Sequence, residues 1–71
     1  MKASEVRALS DEEITAQLEE AREELMNLRF QQATGELVDT SQITQTRRLI
    51  ARLMTILKER EIENVLMEGE E

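Results

Sequence analysis

Histidine, cysteine and proline are all missing from the 71 residues. Without His or Cys, the usual general base and the thiolate nucleophile are unavailable. No disulfide can staple the fold, and no thiolate metal site can form. Phe30 is the only aromatic residue, and the glycines are Gly35 and Gly69. A long helical stretch can therefore be broken only at Gly35 or by polar turn residues. A lone Gly35 builds no phosphate-cradling loop. No apolar run approaches ~18 residues, so nothing reads as a membrane span. The start, Met1-Lys2-Ala3-Ser4-Glu5-Val6, lacks the apolar core of a signal peptide, which leaves the cytoplasm as the default compartment. These absences argue against an enzyme, and no cofactor, metal or small-molecule substrate is expected.

What is present is helical in character. Ala, Glu, Leu and Arg are abundant, as in long helices and coiled coils. A chain this short buries only ~60% of its unfolded surface, so one domain of marginal stability is expected, functioning as part of something larger. The net charge of −7 is unevenly placed. Residues 40–60 hold Arg47, Arg48, Arg52, Lys58 and Arg60 against a single acid, Glu59, whereas the segments on either side are acidic. Local charge decides which partner each segment can meet.

Along the chain, Ala3–Ala8 reads as a short N-terminal turn of helix. Ser10 and Glu13 then form an S-x-x-E capping box, and Leu9 with Ile14 makes a hydrophobic staple. Asp11, Glu12 and Glu13 suit the positive end of the helix dipole. Ile14, Leu18, Ala21, Leu25 and Leu28 follow at heptad spacing and span an arc of only about 80°, enough for one facing helix. Helix one is expected over about 11–34, roughly 36 Å long, with Gly35 as its left-handed stop. After a turn at 35–39, Asp39, Thr40 and Ser41 are candidate caps for helix two, expected over about 40–66. A connection this short makes the two helices antiparallel. The fold class is thus all-α: an antiparallel two-helix hairpin with a short N-terminal helical turn, one domain over residues 1–66. Residues 67–71 are expected to form a disordered acidic tail.

On helix two, with Arg47 set at zero, Ile43, Leu49, Ile50, Leu53, Met54, Ile56 and Leu57 fill an apolar sector from about 180° to 340°. That is twice the width of the seam on helix one, so part of it must meet a third element. Arg60 falls in the same sector, where its stem can snorkel. The other sector, from about 0° to 140°, holds Arg47, Arg48, Ala51, Arg52, Thr55 and Lys58. Small residues between guanidinium groups let the helix backbone come close to a flat surface. Arginine's planar fork suits phosphate. The pattern points to positioning on a nucleic-acid backbone rather than to reading bases, although a charged outer face would look similar. The run Glu19, Glu20, Glu23 and Glu24 reads as a solvated face, with repulsion of a polyanion or salt bridges to Arg47 or Arg60 as alternatives. Met26 and Phe30 lie about 120–160° from Ile14, outside the seam. They either pack on the N-terminal turn or on helix two, or they anchor a partner.

Three blocks carry a family resemblance. They are Met1-Lys2-Ala3-Ser4-Glu5-Val6-Arg7 with Leu9-Ser10-Asp11-Glu12-Glu13, then Glu24-Leu25-Met26-Asn27-Leu28-Arg29-Phe30-Gln31-Gln32-Ala33-Thr34-Gly35-Glu36-Leu37, then Arg47-Arg48-Leu49-Ile50-Ala51-Arg52-Leu53-Met54-Thr55 with Glu59-Arg60. In order and spacing the chain resembles the bacterial large-subunit ribosomal protein twenty-nine family. The resemblance covers residues 1 to about 60. It implies a helical hairpin on ribosomal RNA near the polypeptide exit site, with ribosomal protein twenty-three as neighbour and nascent-chain factors docking close by. Carried over by position, Asn27, Arg29, Phe30, Gln31 and Gly35 match the central motif, and Arg47, Arg48, Arg52 and Thr55 the second. The expected RNA-binding residues are therefore Arg29, Gln31, Arg47, Arg48, Arg52, Thr55 and Lys58, with Met26 and Phe30 as partner contacts. The rival expectation is a protein-only helical adaptor or coiled-coil scaffold.

Overall fold

Three helices account for most of the chain, and the start and end of the second and the start of the third fall where the local sequence directs. The computed structural model describes residues 1–69, with side chains described through residue 67. Helix α1 spans Ala3–Arg7, α2 spans Asp11–Ala33, and α3 spans Thr40–Gly69. At α2's start, the Ser10 hydroxyl oxygen accepts the Glu13 N–H at 3.2 Å. The reciprocal half of the expected capping box differs. The Glu13 carboxylate accepts the Ser10 hydroxyl at 3.1 Å rather than a backbone N–H.

The helix stop is a Schellman arrangement centred on Gly35. Its φ is +86°, in the left-handed region. There the Glu36 N–H donates to the Gln31 carbonyl at 3.0 Å and the Gly35 N–H to the Gln32 carbonyl at 3.2 Å, satisfying two otherwise orphaned acceptors. Of the three candidate caps for α3, Asp39 is the one used. Its carboxylate accepts the Ser41 N–H at 2.9 Å and the Ser41 hydroxyl at 2.7 Å. Those two bonds, the hydroxyl one first, hold the Asp39 carboxyl below its ordinary value.

α2 and α3 run antiparallel, as two cross-contacts show. Arg60 meets Asp11 at 2.6 Å, and the Arg22 guanidinium reaches the Met54 sulfur at 3.7 Å. Ile14, Leu18, Ala21 and Leu28 of the heptad seam are buried, and Leu25 is half-buried. The third element demanded by the broad apolar sector of α3 is α1. Val6 joins Ile14, Leu18, Leu53 and Ile56 in one cluster, with Leu9, Leu49, Ile50 and Leu57 packed around it. The result is a rod of 56 × 19 × 16 Å. No helix among the described residues is long and apolar enough to cross a membrane.

α3 continues to Gly69, three residues beyond the expected 66. A glycine in a helix costs only about 1 kcal/mol, too little to stop one already propagating. Of the acidic tail expected over 67–71, Glu70 and Glu71 lie outside the described residues.

Two measurements check these ends. A Cβ at Gly35 would meet nothing within 4 Å, so Gly35→Ala probes the backbone alone. It should lower stability by about 1–2 kcal/mol in chemical denaturation, with Gly35→Asn costing less. Asp39 contributes stability above its unfolded value, and that contribution is lost as pH falls through the lower folded value. A carboxyl titration should place its midpoint below 3.8 and Ser41→Ala should move it back up.

Candidate nucleic-acid interface

The buried residues of α3 turn its opposite face outward, and that face is basic. Arg47, Arg48, Arg52, Thr55 and Lys58 are all exposed there, with Thr44 and Ala51 between them. Thr44 and Thr55 fold their hydroxyls back onto the carbonyls of Thr40 and Ala51, at 3.2 and 2.8 Å. Their protons are thus engaged, and the two residues add low relief rather than free donors. A shallow groove of about 300 Å³ lies among Thr44, Arg47, Arg48 and Ala51. Among the described residues, Arg47 and Arg48 have no ion-pair partner, so their donor forks are available. Lys58 lies 3.8 Å from Glu61 in an exposed pair of little energetic weight.

α1 extends the face. A second shallow groove, about 370 Å³, is lined by Ala3 and Arg7 from α1 and by Arg48, Ala51, Arg52, Thr55, Ile56 and Glu59 from α3. Arg7 reaches Glu59 at 3.6 Å and so offsets the one acid in the basic sector. Arg52 donates to the Met1 carbonyl, which ties the N-terminal strand of backbone to the groove wall. Arg60 does the same at the other end of α1. Its guanidinium donates to the Arg7 and Leu9 carbonyls at 3.0 and 2.8 Å while pairing with Asp11. This goes well beyond snorkelling, because one side chain caps α1 and fixes its junction with α2. Sequence reasoning missed Ala3 and Arg7 as groove residues. The available signal was the surplus width of α3's apolar sector, which demanded a neighbour without naming it.

Other expected residues are placed apart. The Arg22–Met54 contact sets the register, which puts Arg29 level with Arg47 on the same flank of the hairpin. Gln31 follows Arg29 by two residues, about 200° further round α2, and so faces the other flank. Met26 and Phe30 are 63% and 68% exposed, so they pack on neither the N-terminal turn nor α3. Glu19, Glu20, Glu23 and Glu24 are exposed and make no ion pair among the described residues, so the salt bridges to Arg47 or Arg60 do not form. No group of three or more potential metal ligands occurs among the described residues.

A family model described as ribosomal L29 protein matches residues 4–60, which takes in α1, α2, the turn and the basic face of α3. The chain belongs to the ribosomal L29 protein family. Relatives called large ribosomal subunit protein uL29 include that of Thermosipho africanus, 56% identical over 62 residues covering 87% of this chain and 94% of the relative. That of Lactobacillus delbrueckii subsp. bulgaricus is 52% identical over 63 residues, 89% of this chain and 97% of the relative. The Staphylococcus aureus protein is 54% identical over 63 residues, 89% of this chain and 91% of its own length. The family match ends at Arg60, so the last two turns of α3 lie outside it.

Arg60→Met keeps the buried stem and removes the donors. It should cost about 1–3 kcal/mol, as for lost hydrogen bonds to a charged group. Backbone amides of α1 should lose protection in hydrogen exchange while those in the middle of α2 keep theirs. Unchanged α1 protection would show that Val6 and the Arg7 and Arg52 contacts hold the helix down without Arg60.

Proposed function

We propose that this protein is a structural constituent of the large ribosomal subunit, binding its ribosomal RNA through the α1–α3 face. Its relatives are named as large-subunit proteins. On this reading the hairpin sits near the polypeptide exit site, beside ribosomal protein twenty-three and within reach of nascent-chain factors. The observation that carries the RNA reading is the pair of unpartnered guanidinium groups, Arg47 and Arg48, flanking the low surface of Thr44 and Ala51. Phosphates can enter between them, and bidentate forks can close on each one. Arg52, Thr55 and Lys58 prolong the track, Arg7 adds a wall, and Arg29 approaches from the flank. Contacts of this kind set register and orientation on an RNA backbone. Met26 and Phe30 stand exposed on α2 as anchors for a neighbour. The role is architectural, with no reaction assigned to it.

The protein-only scaffold reading rested on the heptad seam of helix one and on an exposed Val65-Leu66-Met67 end, and those three residues are indeed exposed. The seam, however, is already covered by α3, so it is not free to zip onto another chain.

Reversing Arg47 and Arg48 to Glu should reduce incorporation into large subunits at least tenfold and leave helicity by circular dichroism nearly unchanged. On an RNA fragment, removing two phosphate contacts should flatten the slope of log K against log salt by about 1.4–1.8. Wild-type occupancy of purified subunits by the double variant would reject the assignment.

A further inference from the structure

α3 outruns the hairpin. Arg60 pairs with Asp11, the first residue of α2, so the turns after Arg60 project beyond the packed part of the rod. Every residue from 61 to 67 is exposed. Within this overhang, Met67, 71% exposed, stands apart about 200° round from Arg47, whereas Ile62, Val65 and Leu66, 50%, 60% and 63% exposed, share one side of the helix. With Arg47 at zero, these three fall between about 0° and 100°, in line with Arg47, Ala51, Thr55 and Lys58. The surface is continuous. One shallow groove joins Met54, Thr55 and Lys58 to Ile62, and the next joins Lys58 and Glu61 to Ile62, Val65 and Leu66. A single face of α3 thus changes from basic to apolar at Lys58–Ile62.

The edges of the apolar stripe are acidic. Glu61 lies at about 320° and Glu63 at about 160°, one on each side. After Arg60 the sequence contains no Lys or Arg. This chemistry selects among occupants. RNA would meet two carboxylates and a single cation, Lys58, which already lies 3.8 Å from Glu61, and an anionic lipid surface would be repelled in the same way. A second copy packed isologously on the stripe would set Glu61 and Glu63 against their own counterparts. A polypeptide surface with an apolar centre and a Lys/Arg rim satisfies both the stripe and its edges.

We infer that the last turns of α3 dock a protein whose contacting surface is apolar at its centre and basic at its rim, seated next to this chain on the same RNA. The position of that partner rests on the RNA reading above, whereas its chemistry is read from the overhang itself. Three side chains make a small contact, well below a stable free interface. It suits two proteins already held side by side by a common RNA, where the effective concentration is high. Because the family match ends at Arg60, the surface lies outside the segment shared through the family model.

The test uses purified large subunits carrying the full chain with p-benzoylphenylalanine in place of Leu66, and a second preparation with the same replacement at Thr44. Irradiation should link position 66 to a protein segment in which apolar residues are flanked by Lys or Arg. In the same preparation, E61K/E63K should cut the yield about fivefold, since like charges then face each other. A position-66 link to RNA, to a second copy of this chain or to a segment without a basic rim overturns the inference. So does the absence of any protein link, or a yield that E61K/E63K leaves unchanged. Position 44 should link to RNA and reports on the RNA reading alone. An RNA link at 44 without a protein link at 66 rejects the docking surface but keeps the RNA face, and the converse result rejects the RNA face only.

Discussion

Leu53 and Ile56 are buried from two directions, beneath Ile14 and Leu18 of α2 on one side and Val6 of α1 on the other. With burial worth about 1.5–3 kcal/mol per large apolar side chain, a core of this size leaves no redundancy. α1 is five residues long and would not persist alone. It exists because Val6 completes the cover over α3 and because Arg60 binds the carbonyls at its end. The basic groove inherits that dependence. Ala3 and Arg7 line it only while α1 is docked, so packing at Leu53–Ile56 and the shape of the proposed RNA surface are one constraint.

Periodicity carried most of the architecture. The heptad seam of α2, the capping Ser10, the positive φ of Gly35 and the split of α3 into apolar and basic sectors all follow from short-range rules. What periodicity could not supply were contacts between residues far apart in sequence. Arg60 reaches Asp11 across 49 positions and Arg52 reaches Met1 across 51. Helical phase put Arg60 on the apolar side, but its partners depend on where α1 lies. A similar limit applies to Arg29 and Gln31. They sit together in a recognisable motif, yet helical geometry sends them to opposite flanks. Met26 and Phe30 were undecided because phase excluded them from the seam without saying whether α1 would reach them.

The distribution of charge resolves an apparent conflict between a net charge of −7 and a polyanionic partner. By helical phase Glu19, Glu20 and Glu23 lie about 120–180° from the α2 seam, and Glu24 sits on the flank opposite Arg29 and Arg47. These carboxylates and the arginine face are separated across a rod whose cross-section measures 19 × 16 Å. The Debye length is about 8 Å at physiological ionic strength. A phosphate at the arginine face is therefore largely screened from the carboxylates behind it. On the proposed reading, the acidic side would orient approach, because only one face of the rod could come near a polyanion without repulsion.

The same crowding of positive charge couples the interface to the fold. Arg7, Arg48 and Arg52 line a single groove with Glu59, and of the three only Arg7 is ion-paired to it. Arg48 and Arg52 lie on α3 beside the docked α1, whose Arg7 is offset by Glu59. Phosphates entering the groove would be attracted to both helices at once. Binding then stabilises the docked form of α1 in proportion to the difference in affinity between docked and undocked states. A short helix held by one valine and a few arginine contacts is weak by itself. It is well placed to be tightened by the ligand it helps to surround.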